Sequence, residues 1–521
     1  MNSTRVKLNQ EARTALLAGV NLVANTVKVS LGAEGRNVVI PHPHVPGAYF
    51  ITKDGVSIAN SIIPKEVFTA IGAALIKEAA GRTNAEAGDG TTSATVLAQA
   101  IYSAGLELLE EGISAVQLKK GIDAAVKDVV GLLKKESKPV RKKSSDLKNI
   151  ATISANGDKE LGKFISKAFN KIGKHGKVLT ERSDTAETHI KIYDGSVLER
   201  GWTSPVFKTD EKRDVCELVS PLIMLHRGKI EKGDDIVELF DQVFAHPDGR
   251  LLLLTDDIDP FVHSIISQNV QRKAIHGKVC VVKLPQILKV QKEMMNDLAV
   301  LTGATIISEE MGTRISLDNL GRAEKCIVTD RETVLVGDQD NVKGLVKGIK
   351  EKLEITDNKH DKEELQERLA RLTGGIATLH VGAKTDSELK EKLDRVEDSI
   401  NATRSALEEG VSPGGGVALC NAANEFSSDE DLEQADDYTI GYQLVVNACY
   451  TPMMQICANA DLDPVTDKKD HGIDVKTGKV VEMKKVGIMD PTKVIRCALE
   501  NAGSVAGMFL TTEGVVASIP E

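Results

Sequence analysis

At 521 residues the chain is too long for one ordinary core, and a balance of 41% apolar to 27% charged residues describes folded, soluble material rather than disorder. A net charge of −10 argues against nucleic acid as the main partner, because phosphate binding needs clustered Lys and Arg. No apolar run approaches the roughly 20 residues that span a bilayer, and the N-terminus carries no secretory apolar core, so neither a membrane nor export is expected.

The stretch up to about residue 135 reads mainly helical. Ala12, Leu16, Val20, Val23 and Val27 form one stripe within 9–31. Residues 37–55 interrupt it with two β-rich pieces around a Pro/Gly turn, a predicted hairpin. Its tip, Pro41-His42-Pro43-His44, reads as a rigid exposed loop rather than a metal site. Helices are predicted over 65–82 and 91–111, the second with Leu97, Ala100, Ile101, Ala104 and Leu108 on one face. "KKESKPVRKK" (134–143) reads as a solvated linker.

The middle, roughly 190–375, changes character. Short apolar runs at 250–259, 278–285, 304–310, 325–330 and 332–337 alternate with helical segments at 234–245 and 261–274, which predicts an α/β domain with a sheet between helices. From 385 long helices return. Leu389, Leu393, Val396, Ile400, Thr403 and Leu407 repeat at 4-3-4-3-4 spacing, Gly410 ends the run, and "GGG" at 414–416 opens another helix. Helical, then α/β, then helical: a domain built from both ends with the middle inserted explains this order, with Pro139, Gly195, Gly374–Gly375 and Gly410 as candidate hinges. Aromatics are 3%, so aliphatic residues and alanine build the cores. The seven cysteines (216, 280, 326, 420, 449, 457 and 497) are scattered without CxxC pairing, which predicts buried reduced thiols in a cytosol-like compartment rather than zinc or disulfides.

One segment concentrates the chemistry. "AGDGTTSATVLAQAI" (87–101) places glycines, an aspartate and three hydroxyls ahead of a helix. A helix N-terminus offers N–H groups and a partial positive charge, glycines let backbone approach an anion, and Thr91, Thr92 and Ser93 add donors, so the segment suits phosphates. An aspartate there repels phosphate unless a cation intervenes, so Asp89 reads as a Mg²⁺ ligand. Taken alone, the segment is equally a helix after a glycine turn with no ligand. "SLGAEGRN" (30–37), "ITKDGVS" (51–57) and "VSPGGGVAL" (411–419) share the style. All lie in the helical ends and none in the α/β middle. Asp398 lies off the apolar stripe of its helix. On spacing alone it is a solvated acid, and the other reading makes it the carboxylate that polarises water for attack on a γ-phosphate.

With "RNVVI…ITKDGVSIA", "ATISANGD", "LTGATIISEE", "ELQERLARLTGGIA", "RVEDSINATRSALEEGVSPGGGVAL" and "GIMDPTKVIRCALENAGSVAGMFLTTE", the chain closely resembles the group I chaperonins, the GroEL family, from about residue 5 to 517. The resemblance implies a mixed α and α/β fold in three domains. A mainly helical equatorial ATPase domain spans 1–136 and 410–521, a small intermediate domain 137–193 and 374–409, and an α/β apical domain 194–373. It implies ATP with Mg²⁺ and a potassium ion near Ser30 and Lys53, seven-membered homo-oligomeric rings, unfolded client polypeptides, and work with or without a lid-like co-chaperonin.

Residue by residue, the resemblance has Ser30, Leu31, Gly32 and Ala33 line the phosphate and ribose side. Lys53 makes a second contact, Asp89 holds Mg²⁺, and Gly90, Thr91, Thr92 and Ser93 hold phosphates. Gly415 packs on the nucleotide, Asp490 binds ribose, and Asp474, Val475 and Lys476 lie near the base. Asp54 and Asp398 position the attacking water. Trp202, Val206, Phe207, Val237, Phe240, Ile265 and Ile266 fall where such proteins expose an apolar, polypeptide-binding rim.

The chain also departs from the family pattern. Ala33 stands where proline is usual, Ser30 where threonine is, and Asp474-Val475-Lys476 where Asn-Ala-Ala is common. Glu107, Glu110, Glu111 and Met454 occupy the base that elsewhere contacts a second ring, which predicts weak or absent ring stacking.

Overall fold

A computed structural model describes residues 3–519 except 42–46, 141–144, 156, 174–176, 184, 199, 212–213, 232, 247, 286–287, 338–340, 357, 359–360, 362–363, 366–367, 370–371, 373–374 and 428–434. The histidine pair at 42 and 44 and the hinge glycine at 374 lie outside the described residues. The chain forms two compact units. The first takes Met1–Lys167, Arg182–His189 and Val381–Glu521, and the second Ala168–Glu181 and Ile190–His380. Both ends therefore share one unit, as the order of the sequence patterns predicts, and most of the segments assigned to an intermediate domain fall in that unit too.

In the first unit, strands Ser3–Leu8 and Gly514–Ile519 pair antiparallel and bring the termini together. Helices Asn9–Val27, Val67–Ala87, Thr91–Glu110, Ala115–Glu136, Asp437–Ala448 and Thr492–Leu510 pack on one core. The stripe read from the sequence is the buried one: Ala12, Leu16, Val20, Val23 and Val27 all lie in that core. Because the core is built from aliphatic and small residues, backbones approach closely, and Tyr102 against Phe509 is a rare ring contact.

The hairpin forms as Val38–Pro41 against Tyr49–Thr52. Two sequence readings need correcting. The first three residues of the basic "linker" are the end of helix Ala115–Glu136, whose apolar face continues to Leu133. Residues 55–61 are a short helix, not just a turn, because the Asp54 carboxylate caps it by accepting the Val56 and Ser57 N–H groups.

In the second unit, the apolar runs are strands of a parallel sheet ordered Ile306–Ile307, Leu222–Ile230, Leu251–Ile258, Val279–Lys283, with Gly321–Arg322 antiparallel at Leu222–Ile230. Leu251 to Leu254 are fully buried, as strands covered on both faces require. Helices Gly233–Phe244, Pro260–Gln271 and Leu288–Thr302 alternate with these strands along the chain. A second, six-stranded sheet contains Thr333–Val336 and Lys325–Val328, whose antiparallel pairing joins two further predicted runs. All seven cysteines are buried. Among the described residues no helix is long and apolar enough to cross a membrane.

Candidate active site

The first unit holds a cavity of about 400 Å³ at the meeting point of segments distant in sequence. Its floor is a turn between two helices. Helix Val67–Ala87 ends on Gly88 (φ 70°), helix Thr91–Glu110 begins after Gly90 (φ 85°), and Asp89 stands between them. Both glycines hold left-handed conformations that a side chain disfavours. No side chain caps helix Thr91–Glu110, so its first N–H groups face the cavity that Thr91, Thr92 and Ser93 line. The Asp89 Oδ1 accepts the Gly90 N–H at 2.5 Å.

The other walls arrive from both ends of the chain. Ser30, Leu31, Gly32 and Ala33 follow helix Asn9–Val27, and Asn459 Nδ2 fixes their turn by donating to the carbonyls of Lys28 and Leu31, each at 2.9 Å. Lys53 and Asp54 come from the end of the hairpin. Gly415 follows strand Val411–Pro413, which pairs with Met489–Pro491 in a register that sets Ser412 opposite Asp490. Asp474, Val475 and Lys476 sit at a hairpin turn, where the Asp474 carboxylate accepts the Lys476 N–H and the Thr477 hydroxyl. Every nucleotide-site residue expected from the sequence lines this one cavity.

Asp398 lines it as well. Its helix, Asp386–Glu409, is seated on the floor turn: Asn401 Nδ2 donates to the Gly88 carbonyl at 3.2 Å and Ser405 Oγ to the Ala87 carbonyl at 3.0 Å. A Cβ on Gly88 would come within 2.5 Å of Asn401, so the seating depends on that glycine.

The cavity is crowded with carboxylates. Burial, then the neighbouring Asp54, pushes Asp89 up to about 6. Burial and Asp89 push Asp490 up to about 7. Asp398 is held well above the usual carboxylate range by burial first, then by Asp89 and Asp54. Acids driven toward protonation by burial and by one another would be relieved by a hard cation. Among the described residues no three acidic, His or Cys groups stand together to hold one, so Mg²⁺ would need phosphate oxygens beside a single carboxylate. Asp89, set between two helix ends beside the uncapped N–H groups of helix Thr91–Glu110, is the residue that could hold it.

Asp394, Glu391, Arg395, Asn84 and Gly157 also line the cavity and were not singled out in the sequence. The signal for Asp394 was its place one helical turn before Asp398, which puts both on one face.

In the second unit the rim residues divide. Phe207 (1% exposed) and Ile266 (2%) belong to the hydrophobic core, a correction to their placement on an exposed rim. Ile266 lies on the inward stripe Val262–Ile266–Val270 of helix Pro260–Gln271, and the Phe207 ring meets His263 edge-on. Trp202, Val206 and Phe240 pack half-buried against the same core, Ile265 is half-buried, and Val237 is 47% exposed. The most exposed large side chain on helix Pro260–Gln271 is one the sequence reading missed, Phe261, at 73%.

The TCP-1/cpn60 chaperonin family matches residues 23–231 and 251–520, nearly the whole chain, and the protein belongs to that family. Its fold is that of a solved relative, the chaperonin gp146 from the bacteriophage EL 2 (Pseudomonas aeruginosa), crystallised in the presence of ATP-BeFx. Two crystal forms of that protein match with TM-scores of 0.74 and 0.68, each at 21% identity over 99% of both chains. The protein is thus a divergent chaperonin with a mixed α and α/β multidomain fold.

Proposed function

We propose that this chaperonin binds and hydrolyses ATP in the cavity of the first unit and uses that cycle to hold and release unfolded polypeptides. The observation that carries the reading is the convergence of Asp54, Asp89 and Asp398, from three separate segments, on a glycine turn with an uncapped helix N-terminus. Mg²⁺ held by Asp89 would neutralise phosphate charge. The N–H groups and hydroxyls of 91–93 bind the phosphates, and Asp490 and Asp474 suit ribose and base. Asp54 is pinned by its helix cap, and Asp398 faces it from the seated helix, so the two can orient a water between them. Ser30 and Lys53, where the resemblance expects a potassium ion, both line the cavity.

Exposed apolar groups in the second unit, Val237 and Phe261, suit capture of unfolded chains without sequence specificity, since each buried Å² of apolar surface contributes about 25 cal/mol. We propose a homo-oligomeric ring of seven in a reducing compartment as the working form, with or without a co-chaperonin lid.

The test is an ATPase assay with equilibrium binding on Asp398→Ala. Lost hydrolysis with nucleotide still bound supports the reading. Client release that is equal with and without ATP in the wild type would instead make the protein a binding ring without nucleotide control.

A further inference from the structure

Helix Asp386–Glu409 carries a second carboxylate into the cavity that the mechanism above leaves unused. Asp394 sits four residues before Asp398, so the two project from one helix face, their Cβ atoms about 5–6 Å apart. Neither carboxylate makes a hydrogen bond or ion pair among the described residues. The neighbouring charges are otherwise engaged. Arg395 Nη2 binds Glu391 at 2.8 Å and its Nη1 lies 3.7 Å from Asp158, while the Lys390 ammonium lies 3.7 Å from the centroid of the Phe50 ring. Across the cavity Asp54 has both oxygens committed to the N–H groups of Val56 and Ser57. Asp394 is thus an acid brought into a charged cavity without a hydrogen bond or ion pair, and only the Lys390 charge favours its ionised form against the cost of burial.

Its surroundings also separate it from Asp398. Asp398 faces Asp89 and Asp54 and is the more deeply buried. Asp394 faces Asp54 from the hairpin and Lys390, Glu391 and Glu397 from its own helix, and burial first, then Asp54, pushes it up to about 6.

We propose that Asp394 is a positioning residue that receives, by way of Asp398 and one bridging water, the proton released in ATP hydrolysis. The water oxygen bonds to the γ-phosphorus, the bond from that phosphorus to the β,γ-bridging oxygen breaks with its electrons on ADP, and the water's proton passes to Asp398 in its ionised form, the form a cation bound beside it would favour. From there it moves through the bridging water to Asp394 and on to solvent. The inference rests on the ATPase reading of the cavity.

The experiment is steady-state ATP hydrolysis by the full chain from pH 5 to 8.5, for wild type, Asp394→Asn and Asp394→Glu, with nucleotide affinity measured alongside. Asp394→Asn should lower kcat by roughly tenfold or more, a modest share of the effect typical of general acid–base groups, while KM and nucleotide affinity stay near wild type. Asp394→Asn should shift the acid limb of the wild-type profile, to which Asp89 also contributes, and Asp394→Glu should restore it in part. An unchanged pH profile in Asp394→Asn, or loss of kcat that Glu does not restore at all, overturns the proposal. A wild type that binds no nucleotide overturns the ATPase reading itself, which is a separate outcome.

Discussion

The guanidinium of Arg496 holds the carboxylate of Glu409 with two bonds, Nε at 3.0 Å and Nη2 at 2.6 Å. Glu409 is the last residue of the helix that carries Asp398, and Arg496 belongs to helix Thr492–Leu510, so this fork ties the end of that helix to the core. Next to it, Ser137 Oγ donates to the Glu409 carbonyl, and its hydroxyl lies 2.8 Å from that of Thr492.

Glu409→Gln should lower stability by about 1–2 kcal/mol at neutral pH, since the pair is only partly buried. The hydrogen bonds from Arg496 hold Glu409 below its ordinary value of 4.5. A depressed carboxylate contributes stability above its unfolded value and loses it as pH falls through the folded one. Denaturant titrations of wild type and variant should therefore differ at pH 7 and converge in acid below that value.

The carboxylates of the cavity titrate with the opposite sign. Asp89 is pushed up to about 6 and Asp490 to about 7. A raised carboxylate contributes stability below its unfolded value near 4, and that contribution is lost as pH rises through the folded value. The nucleotide-free protein should lose stability between pH 4 and pH 7, and a divalent cation should restore it. Thermal melts with and without Mg²⁺ should show a larger stabilisation at pH 7.5 than at pH 5.5. Asp89→Asn should raise the melting temperature of the cation-free protein at pH 7.5 and remove most of the Mg²⁺ response.

Much of this was visible before any coordinates. The Ala12-to-Val27 stripe has the period of a helix, and the Leu251–Leu254 run reads as a buried strand from its shortness and the acidic turn residues that end it. The floor turn was visible as glycine on each side of an aspartate ahead of an apolar helix, a pattern that alone fits a ligand-free turn equally well and gained weight from the similar glycine segments at 30–37, 51–57 and 411–419. Asp394 was hidden because a charged residue on a charged helix is ordinarily solvated, and its importance appears only once Asn401 and Ser405 seat that helix. The placement of Ile266 on the rim went against its own sequence: Val262, Ile266 and Val270 recur every four residues, a core-facing stripe that outweighs position along the helix.

That correction can be tested in pairs. Phe207→Ser should destabilise the second unit by about 3–5 kcal/mol, the usual cost of emptying a buried aromatic site. Phe261→Ser, 73% exposed, should leave the melting temperature within a degree or two of wild type and weaken capture of a denatured client protein. If Phe261→Ser captures as well as wild type, the exposed end of helix Pro260–Gln271 is not part of the polypeptide-binding surface.

Glu107, Glu110 and Glu111 are all exposed at the end of helix Thr91–Glu110, and Met454 is 48% exposed. Two rings meeting on these residues would oppose like charges, which screening relieves. Light scattering should find single rings at low salt, with any pairing of rings growing as salt is added. A double ring of constant mass from low to high salt would contradict this.

Gly90 offers the sharpest separation of site from fold. Its φ of 85° disfavours any side chain, and a Cβ there would lie 2.6 Å from Val494 Cγ1, inside van der Waals contact. Gly90→Ala must therefore displace either the Val494 side chain or the turn, and the left-handed φ adds strain of about 1–2 kcal/mol that favours moving the turn, with it the N–H groups of 91–93 and Asp89. The matched control is Gly81→Ala in helix Val67–Ala87, where an added Cβ meets nothing within 4 Å. That change should stabilise by up to about 1 kcal/mol through helix propensity alone. Calorimetric titration with ATP and Mg²⁺ should find affinity down roughly tenfold or more in Gly90→Ala, the equivalent of about 1.4 kcal/mol, and unchanged in Gly81→Ala. Full affinity in a folded Gly90→Ala would mean that the phosphates do not rest on this turn, and the Mg²⁺ role of Asp89 would fall with it.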